Sequence, residues 1–153
     1  MSKTPIKTPC IGRCSTVYGD LVCRGCKRFL HEVVEWNGYD DERKHEIMLR
    51  LETLLVHVMR SKLQVLDAAR LRQQLEQRQI RFVAEQSPYC WAYQLIARGA
   101  RLINRLDAYG LALLPEFRDW SLVDVRDAID NEFFALSEAH YQQIMVAKGR
   151  EVL

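Results

Sequence analysis

The sequence predicts an all-α protein: a small four-cysteine loop at the N-terminus followed by an antiparallel helical bundle. Three observations predict it. Apolar residues recur with a 3.6-residue period along much of the chain. Seven Gly and four Pro in 153 residues are too few for a loop-rich sandwich. Four of the five cysteines crowd into residues 10–26, too short a stretch to bury a core of its own. Hydrophobic residues make up 48% and charged residues 27%, the usual values for a globular chain, which excludes a disordered or collagen-like one. A formal charge of +2 gives no large attraction to phosphate backbones.

The cysteines come first in the chain, as Cys10-x3-Cys14 and Cys23-x2-Cys26, with Cys90 far away. Residues 1–9 hold no apolar stretch of a leader, and no run approaches the ~20 apolar residues that span a bilayer. The expectation is therefore a cytoplasmic protein with reduced thiols and no membrane contact. Short Cys-x(2–4)-Cys turns bend the backbone around a common centre, so Cys10, Cys14, Cys23 and Cys26 are the candidate metal ligands. Gly12 and Gly25 lie inside the two turns, where positive φ would let the chain curl. Arg13, Arg24, Lys27 and Arg28 stand ready to offset the charge of four thiolates. A closed tetrahedron of sulfur suits structural Zn. The spacing departs from the common Fe-S cluster signatures, but thiolates also suit iron, so an Fe-S cluster stays open as the alternative.

Next in order, Phe29, Leu30, Val33, Val34 and Trp36 predict a short helix that stops at Asn37-Gly38. Asp40 is positioned to cap a second helix, with Asp41 and Glu42 in its first turn and Ile47, Leu51, Leu54, Leu55 and Val58 on its apolar face. No breaker intervenes before Ser87-Pro88, which extends the expected helix through residue 86, with a bend near Ser61. Residues 89–109 read as one helix, apolar at Ala92, Leu95, Ile96, Gly99, Leu102, Ile103 and Leu106, with Gly99 admitting a close neighbour. Ser121 and Asp124 form a variant capping box, and Trp120 and Val125 a candidate staple, for a final helix. Its face runs through Val125, Ile129, Phe133, Leu136, His140 and Ile144. The domain reading is 1–58 as a four-cysteine module with two short helices and 59–153 as a helical domain.

The residues from Pro9 to about Leu51 carry a resemblance. Pro9, Cys10, Cys14, Cys23, Gly25, Cys26, Arg28, Glu32, Trp36, Glu42 and Arg43 resemble the pattern of the YdhL-like family of small four-cysteine bacterial proteins, domain of unknown function 1289. That family is labelled predicted iron-sulfur. The resemblance implies a metal-binding module with no assigned reaction, and leaves about a hundred further residues unexplained.

Function follows from what accompanies the cysteines. The chain has no P-loop, no dinucleotide fingerprint, no nucleophile elbow and no paired-His metal motif, so the reading leans away from an enzyme. His140 on an apolar stripe reads as a core histidine, His31 as a residue that a filled tetrahedron does not need, and Cys90 as a buried small hydrophobe. Residues 59–114 hold nine Lys or Arg against four acids, and residues 115–153 four against eight, so the two parts can neutralise each other. Nucleic acid, with Arg60, Arg70, Arg78 and Arg81 on one helical face, is the second alternative. An adaptor or scaffold, with a protein partner or self-association through the helical domain, is the preferred class, and an iron-sulfur redox or delivery protein the first alternative.

Overall fold

A computed structural model describes residues 8, 9, 11 and 14–152, with side chains through residue 149. The fold is mostly helical, as expected, with an added two-stranded sheet. Five α-helices lie among the described residues: α1 (Leu30–Glu35), α2 (Asp41–Arg60), α3 (Ala68–Gln77), α4 (Pro88–Gly99) and α5 (Leu122–Val152). The strands are β1 (Leu63–Val65) and β2 (Leu111–Leu113), and short 3-10 turns fill several connections. Two compact units emerge, residues 1–51 with 133–153 and residues 52–132.

In the first unit a 3-10 turn at Ser15–Tyr18 precedes α1, which passes into a 3-10 turn at Trp36–Gly38. Asp40 does cap α2, its Oδ1 accepting the Arg43 amide at 2.8 Å. Phe29, Trp36, Ile47, Leu51 and Phe133 are buried in this unit together with Val22, Cys23 and Cys26.

The second unit departs most from the expected bundle. The helix that starts at Asp41 ends at Arg60 rather than at residue 86. The Ser61 hydroxyl and amide both donate to the Val58 carbonyl, closing the last turn. From there Leu63 is buried, Gln64 exposed and Val65 half-buried, the period of a strand. β1 pairs antiparallel with β2 in the register Leu63↔Leu113, Gln64↔Ala112 and Val65↔Leu111. Asp67 then starts α3, its carboxylate accepting the Arg70 amide at 3.0 Å. Asp67→Ala should cost about 1 kcal/mol, read as a lower melting temperature; an unchanged value would remove this cap from the account.

Residues 89–109 are likewise not one helix. Ser87 caps α4 through the Tyr89 amide and Pro88 occupies its first turn, but the helix stops at Gly99. Among the described residues only the Ile103 side chain comes within 4 Å of a Cβ built at Gly99, its Cδ1 at 3.2 Å, and Leu102 is 83% exposed. After a 3-10 turn at Leu106–Tyr109 the chain enters β2. Leu71 and Leu75 of α3 and Ala92, Leu95 and Ile96 of α4 are buried where these helices pack.

α5 begins as its cap predicts, Ser121 Oγ accepting the Asp124 amide at 3.1 Å. Trp120 does not serve as a staple. It is 45% exposed and packs edge-on against Phe117 at 4.9 Å between centroids.

Candidate metal centre

Cys23 and Cys26 sit on a tight turn closed by a one-pair β-bridge between Val22 and Phe29. The Cys23 amide donates to the Arg28 carbonyl at 2.9 Å and the Lys27 amide to the Cys23 carbonyl at 2.8 Å. The left-handed residue of this turn is Lys27, at φ 66, not the expected Gly25. A non-glycine residue there carries strain. Its side chain is drawn inward: Lys27 is 2% exposed and its ammonium donates to the carbonyls of Arg24 and Gly25.

This fold of the backbone aims amides at sulfur. Burial would raise the Cys23 thiol, but the backbone amides of Cys26, Ser15 and Gly25 and the Cys26 side chain outweigh it and bring the pKa down to about 7. Ser15 reaches Cys23 from the neighbourhood of the first cysteine pair, and its hydroxyl accepts the Arg24 amide at 2.8 Å. For Cys26, burial dominates and raises the thiol, against a hydrogen bond from Arg28 Nε to Sγ at 3.2 Å. The Arg28 guanidinium also lies 5.0 Å from the centroid of the buried Trp36 ring. Cationic Arg28 is thus held beside sulfur by an aromatic partner.

Cys14 is half-buried and its Sγ lies 2.7 Å from Thr16 Oγ1, while Cys10 falls outside the described residues. Among the described residues no three His, Cys, Asp or Glu side chains form a group that could hold a metal ion. The thiolate-favouring Cys23 and the adjacent Cys26 fit a thiophilic cation in donor chemistry. Cys90 belongs elsewhere: burial, then the charge of Glu52, push its thiol up to about 12, so it is a thiol that stays protonated.

Behind the turn stands a charge pair for which sequence spacing gave no sign. Glu32 is fully buried, and its two oxygens accept from Arg50 at 2.6 Å each. One of them also accepts the Phe29 amide at 2.9 Å, and Arg43 stands 4.0 Å away. Burial would raise the Glu32 carboxyl, but these donors and the Arg50 charge hold it below its ordinary value. Arg50 in turn lies 4.1 Å from the centroid of Phe29. Glu32 therefore fixes the start of α1, and with it the residue that closes the cysteine turn. His140 lies edge-on to Phe29 at 6.1 Å and is only partly buried.

The four arginines proposed for nucleic acid do not share a helix. Arg60 ends α2, Arg70 in α3 donates to the Ala108 carbonyl, Arg78 follows α3 over the Tyr109 ring, and Arg81 lies outside any helix.

Residues 8–55 match the model of a family described as a protein of unknown function, DUF1289. The matched segment contains all four clustered cysteines, α1 and most of α2. Neither a curated protein nor a solved structure matches the chain. No helix among the described residues is long and apolar enough to cross a membrane.

Proposed function

We propose that Cys10, Cys14, Cys23 and Cys26 hold one structural zinc ion and that the protein is a non-catalytic adaptor. The observation that carries the metal reading is the set of amides from Ser15, Gly25 and Cys26 around the Cys23 sulfur, which favours a thiolate in a buried turn. Arg28 at Cys26 and the neighbouring Lys27 and Arg24 offset the charge that four thiolates leave on a divalent ion. Zinc is preferred because four sulfurs close a tetrahedron around it, and a closed site has no open position for substrate. The adaptor reading draws support from apolar side chains at the surface, among them Leu66 and Leu102 in the helical part and Val17 and Tyr18 beside the cysteines.

Purification without chelator and under anaerobic conditions, followed by metal and sulfide analysis, tests the metal. The expected result is colourless protein with about one zinc per chain, lost in Cys23→Ser and Cys26→Ser. Stoichiometric iron and sulfide with visible absorbance would overturn zinc in favour of a cluster. Four freely titrating thiols in a folded, metal-free protein would overturn both. Pull-down with the full chain tests the adaptor class, and steep salt dependence with nuclease sensitivity would transfer the reading to nucleic acid.

A further inference from the structure

Ser137 carries a polar group for which packing alone has no use. It is 1% exposed, and its Oγ is the one buried side-chain nitrogen or oxygen among the described residues with no hydrogen-bond partner. A helical serine ordinarily donates to the carbonyl four residues back. Ser137 has not taken that acceptor, and a hydroxyl buried unsatisfied destabilises the fold that holds it. Alanine, the better helix former, would suit a purely structural position more closely.

The place of Ser137 in α5 tells what it faces. Phe133, Phe134, Ser137, His140 and Tyr141 form the inward stripe of this part of the helix, spaced three and four residues apart, while Ala135, Glu138 and Ala139 are exposed. Each ring of the stripe meets the cysteine turn. Lys27 Nζ lies 5.3 Å from the Phe133 centroid and Arg24 Cζ 4.4 Å from that of Phe134. The Phe29 ring lies 6.1 Å from His140 and 5.1 Å from Tyr141. Ser137 sits at the centre of the stripe, so contacts to the segment from Arg24 to Phe29 bracket it on both sides, and all of these residues belong to the first unit. That segment contains Cys26, itself buried. Cys23 already has the amides of Cys26, Ser15 and Gly25 around its sulfur, whereas Cys26 draws on Arg28, through Nε at 3.2 Å.

We propose that Ser137 is a positioning residue of the metal centre, its hydroxyl donating to the Cys26 sulfur when the metal holds that sulfur as a thiolate. The inference rests on the four-cysteine zinc reading. A ligated thiolate is a charged acceptor and gains more from a hydroxyl donor than a thiol does. Donors to ligand atoms fix their orientation and tune the metal's hold on them. Ser137 lies some eighty residues beyond the matched family segment, so it would be a support for the centre supplied by the part of the chain that the family model does not cover.

The test compares the full chain with Ser137→Ala, a variant that only removes an oxygen from a helix. Each is loaded with zinc for chelator competition and with cobalt(II) for its sulfur-to-metal charge-transfer band. Ser137→Ala should hold zinc about tenfold more weakly. Its cobalt band should move to longer wavelength, because a thiolate that loses a hydrogen bond gives up its electron more easily. Ser61→Ala, which removes a bonded hydroxyl at the end of α2 in the other unit, should lower the melting temperature and leave the band in place. Wild-type zinc affinity in Ser137→Ala, or a weaker hold with an unmoved cobalt band, would overturn the role of Ser137 while leaving the metal centre intact. Absence of any thiolate-cobalt band in the unmodified chain would instead overturn the metal reading itself.

Discussion

Replacing Glu32 with alanine is expected to destabilise the protein by about 3–5 kcal/mol, because removal of one member of a buried ion pair leaves the other desolvated and alone. Arg50 would be that remaining charge, 17% exposed and pressed against Phe29. The Phe29 amide would lose its acceptor at the same time, at the start of α1. The melting temperature should fall on the order of 10 °C for a chain of this size. Glu32→Gln keeps the shape and one acceptor, so its loss should be smaller. A Glu32→Ala protein that melts with the wild type would show that the pair contributes nothing.

The same pair sets a pH dependence. Glu32 titrates lower folded than unfolded, since burial, which raises it, is outweighed by Arg50 and the Phe29 amide. Its stabilisation is therefore complete above the unfolded value of about 4.3 and is lost as pH falls through the folded value. Denaturation profiles taken from pH 6 downward should converge for wild type and Glu32→Gln on the acid side. A constant gap between them would mean that Glu32 is not the titrating group.

What could be read from the sequence was local. Asp40 and Ser121 mark helix starts because a cap is a contact across three residues, and both are found where expected. The cysteine turn was legible for the same reason. The pairing of β1 with β2 joins distant residues, Val65 with Leu111 at the near end of the register and Leu63 with Leu113 at the far end, and three-residue strands carry almost no periodic signal. In retrospect the alternation Leu63-Gln64-Val65 and the capping Asp67 were the available signs of a break. Glu32 and Arg50 could not be paired from sequence at all: eighteen residues separate them, and the contact depends on how α1 and α2 pack. Lys27 illustrates the opposite failure. The turn needs one left-handed residue, and inference from glycine preference chose Gly25, whereas the Arg24 and Gly25 carbonyls that accept from the buried Lys27 ammonium offset the strain.

Gly110→Ala is the second substitution expected to have a large effect, about 3 kcal/mol of destabilisation. Gly110 leads into β2 at φ 74, a backbone conformation that costs an L-residue on the order of 1 kcal/mol by itself. The larger part is steric. A Cβ at this position would run into the Asp67 carbonyl oxygen and come within 3.1 Å of Asp67 Cβ. Neither side can yield cheaply, because the Gly110 carbonyl accepts the amides of Leu66 and Asp67 at 2.7 and 3.1 Å, and Asp67 is also the cap of α3. Moving Gly110 thus disturbs the end of the sheet and the start of a helix together. Two other glycines separate the contributions. Gly19 has φ 100 with nothing within 4 Å of a built Cβ, so Gly19→Ala should cost only the backbone term, about 1 kcal/mol. Gly38 has neither positive φ nor a neighbour within 4 Å, and Gly38→Ala should be neutral or stabilise by a few tenths of a kcal/mol. Chemical denaturation of the three variants should rank them Gly38→Ala, Gly19→Ala, Gly110→Ala in falling stability, and a Gly110→Ala protein as stable as Gly19→Ala would contradict the close approach of Asp67 to Gly110.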